Sequence, residues 1–184
     1  MVVNKTKSLA LYDKCRDAWN EWAQGMIAQR EALEAAGDWV AGSNRDTWND
    51  ATRDWHMAAK ADFSEHEFAK DANFKDFQFP GEARFGRATF SGDAGFDSAM
   101  FSGYAGFVQT TFKGRTVFDA AKFENEANFN AMRGGASFSL AEVQFHAVPN
   151  FSEPNFNDAP RRDILRIDPT YTGAPEPPSP RRPL

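Results

Sequence analysis

Three histidines, one cysteine and a few neighbouring carboxylates are the groups in this sequence equipped for metal binding or catalysis. A zinc site would need His56, His66 and His146 to share a metal-ligand spacing; no two do, and no histidine-glutamate helix motif is present. Cys15 has no second cysteine to pair with, and it falls on the apolar stripe of a predicted helix, which reads as a small hydrophobe rather than a nucleophile. Glu65 with Glu67, or Glu124 with Glu126, could divide acid and base roles only where a concave pocket gave the two members unequal environments. Glycine steps such as Ser91-Gly92-Asp93 lack the Gly-Lys-Ser/Thr ending of a phosphate loop and recur periodically. The expectation is a protein with no catalytic residue, no metal and no cofactor.

The elements that carry these groups are set by phenylalanine. Of 18 phenylalanines, 16 fall at positions 63, 68, 74, 79, 85, 90, 96, 101, 107, 112, 118, 123, 129, 145, 151 and 156, in alternating steps of five and six. Counting on through the gap gives Gly134 and Leu140, so the period is eleven residues. Two residues before most ladder positions stands a small residue, as at Ala83, Ala88, Ala94, Ala99 and Ala105. Residues two apart share one face of an extended segment, so each step points one small and one large side chain inward. A helix does not fit, because steps of five and six leave successive rings about 140° and about 120° out of line. Hairpins do not fit either, since each extended piece is too short. The remaining solution is a coil that turns a corner at every step and hydrogen-bonds to the next coil through short parallel strands.

Residues 1–60 carry all five tryptophans and none of the repeat. Tyr12, Cys15, Trp19, Trp22, Met26 and Leu33 are spaced for one face of a helix over about 7–35, ended by Gly37. Trp48, Ala51, Trp55 and Ala58 predict a second helix, capped by Ser43 or Asp46. The two make a hairpin that caps the first coil. Residues 61–158 are the repeat; 159–168, with Ile164, Leu165 and Ile167, form a candidate lid; and 169–184 read as a disordered proline-rich tail. No run is long and apolar enough to span a bilayer, and with a lone cysteine and no leader-like opening the expected location is cytoplasmic.

The repeat resembles the pentapeptide-repeat family, in its phenylalanine-centred Ala-x-Phe variety, over residues 61–158. The resemblance implies a mainly β fold, a right-handed quadrilateral parallel β-helix, here of about four and a half coils. The chain departs from the family by inserting a residue in every second side. A coil then takes two of the eleven-residue periods in place of four equal sides of five, and the insertion becomes a regular bulge. Gly81, Gly103 and Asn125 would stack at one corner, and Gly92 above Gly114 at the opposite one, where Gly and Asn enter left-handed backbone at low cost. Met132 and Phe138 would refill volume lost at Gly134 and Leu140, Phe77 would widen the first coil, and Pro149 and Pro154 would terminate the body.

The net charge of −5 argues against direct binding to nucleic acid. The charge is uneven: the repeat has 14 acidic and 8 basic residues, whereas positions 1–60 sum to −1 and the chain from 159 onward to +2. The expected function is a non-catalytic protein-interaction or scaffold module that binds another protein through the outer wall or the tryptophan-rich hairpin. Trp39, off both helical stripes, is the expected exposed anchor, and Asp97, Asp119 and Glu124 are the outward acids. Some family members mimic DNA and occupy the DNA-binding saddle of type II topoisomerases such as DNA gyrase. The resemblance makes that the alternative here, with a homodimer expected only in that case.

Overall fold

A computed structural model describes residues 2–42, 44–135, 137–152 and 155–156. The expected lid and tail, Pro154 and the alternative cap Ser43 lie outside these residues. The body is a right-handed quadrilateral parallel β-solenoid of about four coils, consistent with the pentapeptide-repeat fold in general. Each wall is a parallel sheet of very short strands. The first wall stacks Ala61–Asp62, Ala83–Arg84, Ala105–Gly106 and Ala127–Asn128. The second stacks Glu67–Phe68, Thr89–Phe90, Thr111–Phe112, Arg133–Gly134 and Asn155–Phe156. Ala72–Asn73, Ala94–Gly95, Arg115–Val117 and Ser137–Ser139 build the third, and Gln78–Phe79, Met100–Phe101, Lys122–Phe123 and Gln144–Phe145 the fourth. Each strand pairs with the one two periods later, Ala83 with Ala105 and Phe79 with Phe101, which is the coil length expected from the sequence.

That register converts the ladder into four columns of stacked rings. Phe85, Phe107 and Phe129 lie 4.8 and 5.1 Å apart and within 5° of parallel. Neighbouring columns meet edge to face, as Phe96 does with Phe107 at 90°, so both favourable aromatic geometries recur through the interior. The alanines two positions earlier are buried against the rings, and the interior is filled. Where Gly134 interrupts the second column, Phe138 leans in 6.2 Å from Phe112 and 5.6 Å from Phe118, and Met132 is fully buried. The lost volume is therefore refilled from positions that are small elsewhere. Pairing continues past Pro149, since Phe151 stacks 4.7 Å from Phe129.

The corners correct one expectation. The residues in left-handed backbone are not the corner glycines but Glu65, Asp76, Arg87, Ser98, Gln109, Ala120, Ala131 and Glu142, each eleven apart and each two residues after a ladder position. They sit in the five-residue steps, where an amide three residues on returns to the ladder carbonyl, as Ala88 N–H does to Phe85 at 3.0 Å. Among turns closed in that way, positive φ at the third residue marks the type II form rather than the commoner type I. Where glycine stands at a six-residue corner the reason is different, namely space. A Cβ on Gly103 would lie 2.5 Å from the carbonyl carbon and oxygen of Gly81 in the coil beneath.

The expected long first helix is two helices, α1 (Val2–Tyr12) and α2 (Arg16–Ala36), broken at residues 13–15. Cys15 is not on a buried stripe: it is exposed and occupies the N-cap of α2, its Sγ accepting the Ala18 N–H at 3.5 Å. Gly37 ends α2 in left-handed backbone, as the sequence suggests. After a short 3-10 turn, Arg45–Thr47, comes α3 (Asp50–Ala59), whose cap is Asn49, accepting from Thr52 N–H at 2.8 Å, rather than Ser43 or Asp46.

Side chains of α1 and α2 act as a coil before the first coil. The Trp19 ring continues the Phe63 column at 5.7 Å and Tyr12 continues the Phe74 column at 4.6 Å, with the buried Phe77 filling the space beneath both. Their polar atoms meet the open sheet edges. Ser8 Oγ accepts Asp62 N–H at 2.9 Å, Tyr12 Oη accepts Asn73 N–H at 3.1 Å and Asn20 Oδ1 accepts Gln78 N–H at 3.0 Å. In return Trp19 Nε1–H donates to the Gln78 carbonyl at 2.7 Å. Unpaired strand edges invite other strands, and this cap closes three walls against them.

Candidate functional site: outer walls and helical cap

Because the interior is filled with rings, the surfaces left for function are the four walls, the corners and the outer side of the cap. The register fixes what each wall shows. Its outward columns read Asp62, Arg84, Gly106, Asn128 on the first wall and Glu67, Thr89, Thr111, Arg133 on the second. The third shows Asn73, Gly95, Val117, Ser139 and the fourth Gln78, Met100, Lys122, Gln144. In none of these columns does an acid follow an acid. The excess negative charge sits at corners instead, and part of it serves structure. Asp71 Oδ1 accepts Asp93 N–H at 2.9 Å, and Asp93 Oδ1 accepts Arg115 N–H at 2.8 Å, one coil further along.

Of the outward acids singled out in the sequence, Asp97 and Asp119 stand one coil apart on the corner between the third and fourth walls. Asp119 is half-buried and engaged: its Oδ1 accepts Ala141 N–H at 2.9 Å and the Ser139 hydroxyl. Glu124 is fully outward but lies across the fourth wall, immediately after Lys122–Phe123. The fold thus brings two of the three together and separates the third.

A shallow groove of about 680 Å³ runs along the corner between the first and second walls, floored by Ser64, Gly86 and Val108 and closed at one end by Lys5 and Leu9 of α1. Ion-paired columns line its sides, with Arg87 2.9 Å from Glu65 on one and Arg84 2.8 Å from Glu82 on the other. Beside it Tyr104 lies flat on Gly106, where a Cβ would meet its ring at 2.7 Å, and burial raises the phenol above its ordinary value. The groove is open, both arginines on its sides are ion-paired, and Lys5 Nζ donates to the Ser64 carbonyl. The three histidines lie on separate elements, and no group of three His, Cys, Asp or Glu side chains able to hold a metal forms among the described residues.

The cap contains a second apolar cluster, separate from the solenoid interior: Met26, Trp55 and Ala59 are buried, with Trp22, Leu33, Trp39 and Ala58 packed around them. Trp55 Nε1–H donates to the Met26 carbonyl at 2.7 Å, which joins α3 to α2. Trp39 is half-buried rather than exposed, a correction to its sequence reading. Its ring meets Trp55 edge-on at 5.2 Å and carries the Arg30 guanidinium at 5.0 Å. Trp48 also stays half-buried, lying parallel to the His56 ring at 3.8 Å with its Nε1–H given to the Gly42 carbonyl. On α3 Met57 is 58 % exposed. Sequence reasoning placed Trp48 on a buried stripe and passed over Met57. The signal available was Asn49, a strong N-cap residue that puts Trp48 outside the helix.

No family model, no curated protein and no solved structure matches this chain.

Proposed function

We propose that this chain is a non-catalytic protein-interaction module, an Ala-x-Phe variety of pentapeptide-like solenoid working in the cytoplasm, in which the rod is a rigid platform and the cap contacts a protein partner. One observation carries the reading: the cap holds more aromatic surface than capping uses. Trp19 and Tyr12 close the first coil, whereas Trp39 and Trp48 pack on the His56 ring outside that closure and keep accessible area, and Met57 on the same helix as His56 is exposed. Half-exposed tryptophans on a rigid base are the residues that most often concentrate binding energy at protein interfaces.

The test is capture of partners by the full chain, compared with Trp39→Ala and Met57→Ala on one side and Asp97→Lys with Glu124→Lys on the other. Loss with the cap variants and retention with the charge reversals supports the cap. The opposite pattern moves binding to the wall.

A second reading, the acidic DNA mimic, draws support from the stacked corner pair Asp97 and Asp119 and the acidic excess of the repeat. It requires inhibition of DNA gyrase supercoiling that weakens as salt screens the surface charges, and it brings with it a homodimer. The mixed columns of the walls, with Lys113, Arg115, Lys122 and Arg133 interrupting the field, make it the weaker of the two.

A further inference from the structure

His56 is the ring around which the outer part of the cap is assembled. Trp48 lies parallel to it at 3.8 Å with 8° between planes, Trp39 approaches at 5.3 Å and 35°, and Trp55 meets it edge-on at 5.2 Å. Its Nε2 is buried without a hydrogen-bond partner. A neutral imidazole fits such a site as a flat aromatic spacer. An imidazolium does not, because both ring nitrogens then carry protons, and the one at Nε2 faces no acceptor.

The charges around the ring also disfavour a proton. Arg30 comes from α2, its guanidinium paired with Glu34 at 2.8 Å and poised over Trp39. Arg45 comes from the 3-10 turn and reaches Glu82, at the solenoid corner, at 3.6 Å. On α3 itself Arg53 is neutralised by Asp50 at 2.7 Å. Among the described residues Glu82 is thus the single acid acting on the ring in the proton's favour, and it is already shared with Arg45 and Arg84.

We propose that His56 is a proton-operated spacer in the cap: neutral, it holds Trp48 and Trp39 in one packed cluster; protonated, it gives up that packing and exposes both tryptophans. Burial first, then Arg30 and Arg45, hold its pKa below the ordinary 6.5, with Glu82 opposing. The sign follows. The unfolded cap takes up protons at higher pH than the packed cap, so the stabilisation is complete above 6.5 and is lost as pH falls through the lowered value. The role as a regulator rests on the cap being the partner surface; the titration does not.

The experiment is tryptophan emission and near-ultraviolet circular dichroism of the full chain between about pH 8 and about pH 5, where imidazoles titrate. The far-ultraviolet signal reports the solenoid alongside. The wild type is expected to show a reversible red shift and loss of near-ultraviolet signal with a midpoint below 6.5, while the β signal holds. His56→Phe, which keeps a stacked ring and cannot titrate, is expected to abolish the transition. His66→Gln is expected to keep it, separating a second histidine whose pKa burial lowers. A transition that survives in His56→Phe overturns the proposal, as does acid tightening of the cluster through cation–π contact with the tryptophans. Should His56→Phe fail to fold, the imidazole proton resonance of wild-type His56 decides: a pKa at or above 6.5 overturns the proposal, and one below it linked to tryptophan exposure supports it. Neither result depends on finding a partner, so failure of the capture experiment and failure of this one are distinguishable.

Discussion

Exchanging glycine and alanine at two corners of the same coil should shift stability in opposite directions. In Gly103→Ala the new Cβ would stand 2.5 Å from both the carbon and the oxygen of the Gly81 carbonyl and 2.9 Å from Glu82 N. These are backbone atoms, so no rotamer change relieves the contact; the coils must separate locally. Overpacking of this kind costs about 1 to 3 kcal/mol. Against it stands the lower entropy of an unfolded chain that has lost a glycine, a gain of about 0.4 to 1 kcal/mol. The net expectation is a loss of up to about 2.6 kcal/mol, from the difference of those two ranges. In Ala120→Gly the geometry is reversed. Ala120 is exposed and holds φ at 57°, a left-handed conformation that costs a residue with a Cβ roughly 1 to 2 kcal/mol. Glycine removes that cost and loses roughly 0.5 to 1 kcal/mol in entropy, for a net gain of up to about 1.5 kcal/mol. Urea denaturation of the full chain measures both through the midpoint at constant slope. A stabilised Gly103→Ala, or a destabilised Ala120→Gly, would refute the assignment of space to one corner and backbone sign to the other.

Two further outcomes follow from the interior and the cap. Phe107→Ala removes a fully buried ring held between Phe85 and Phe129 and should cost about 3 to 5 kcal/mol, a large share of the stability of a domain this size; an unchanged melting temperature would show that the column is not the core. Tyr12→Phe keeps the ring over Phe74 but leaves Asn73 N–H without its acceptor, with an expected loss of about 1 kcal/mol in the same assay and faster amide exchange confined to the first coil.

The alternation of five and six between phenylalanines was enough to specify the inward and outward positions, and the four-sided coil implied by the resemblance to pentapeptide repeats added the coil length and with it the stacking of each coil on the next. A periodic chain presents every segment to a copy of itself, so a local pattern read once is also the tertiary contact. Even the filling of the Gly134 gap by Met132 and Phe138 was legible, because volume inside a closed coil must be conserved. The backbone sign at the corners was not legible. Glycine in a repeat signals a need for freedom or for room, and only the distance from Gly103 to the coil below distinguishes them. The segment before the repeat has no periodic copy of itself. Whether Cys15 is buried in one helix or exposed at the start of a second, and whether Trp39 stands free or packs on Trp55, depends on how three helices meet each other and the first coil. The candidate site divides along the same line. The repeat placed Asp97 and Asp119 on one corner from spacing alone, while the cluster of Trp48, His56 and Trp39 joins residues from α3 and the loop before it, whose spacing in the chain carries no trace of their contact. That contact exists only once the cap has packed, because it is the packing of α3 on α2 and on the first coil that leaves the imidazole among tryptophans with its Nε2 buried.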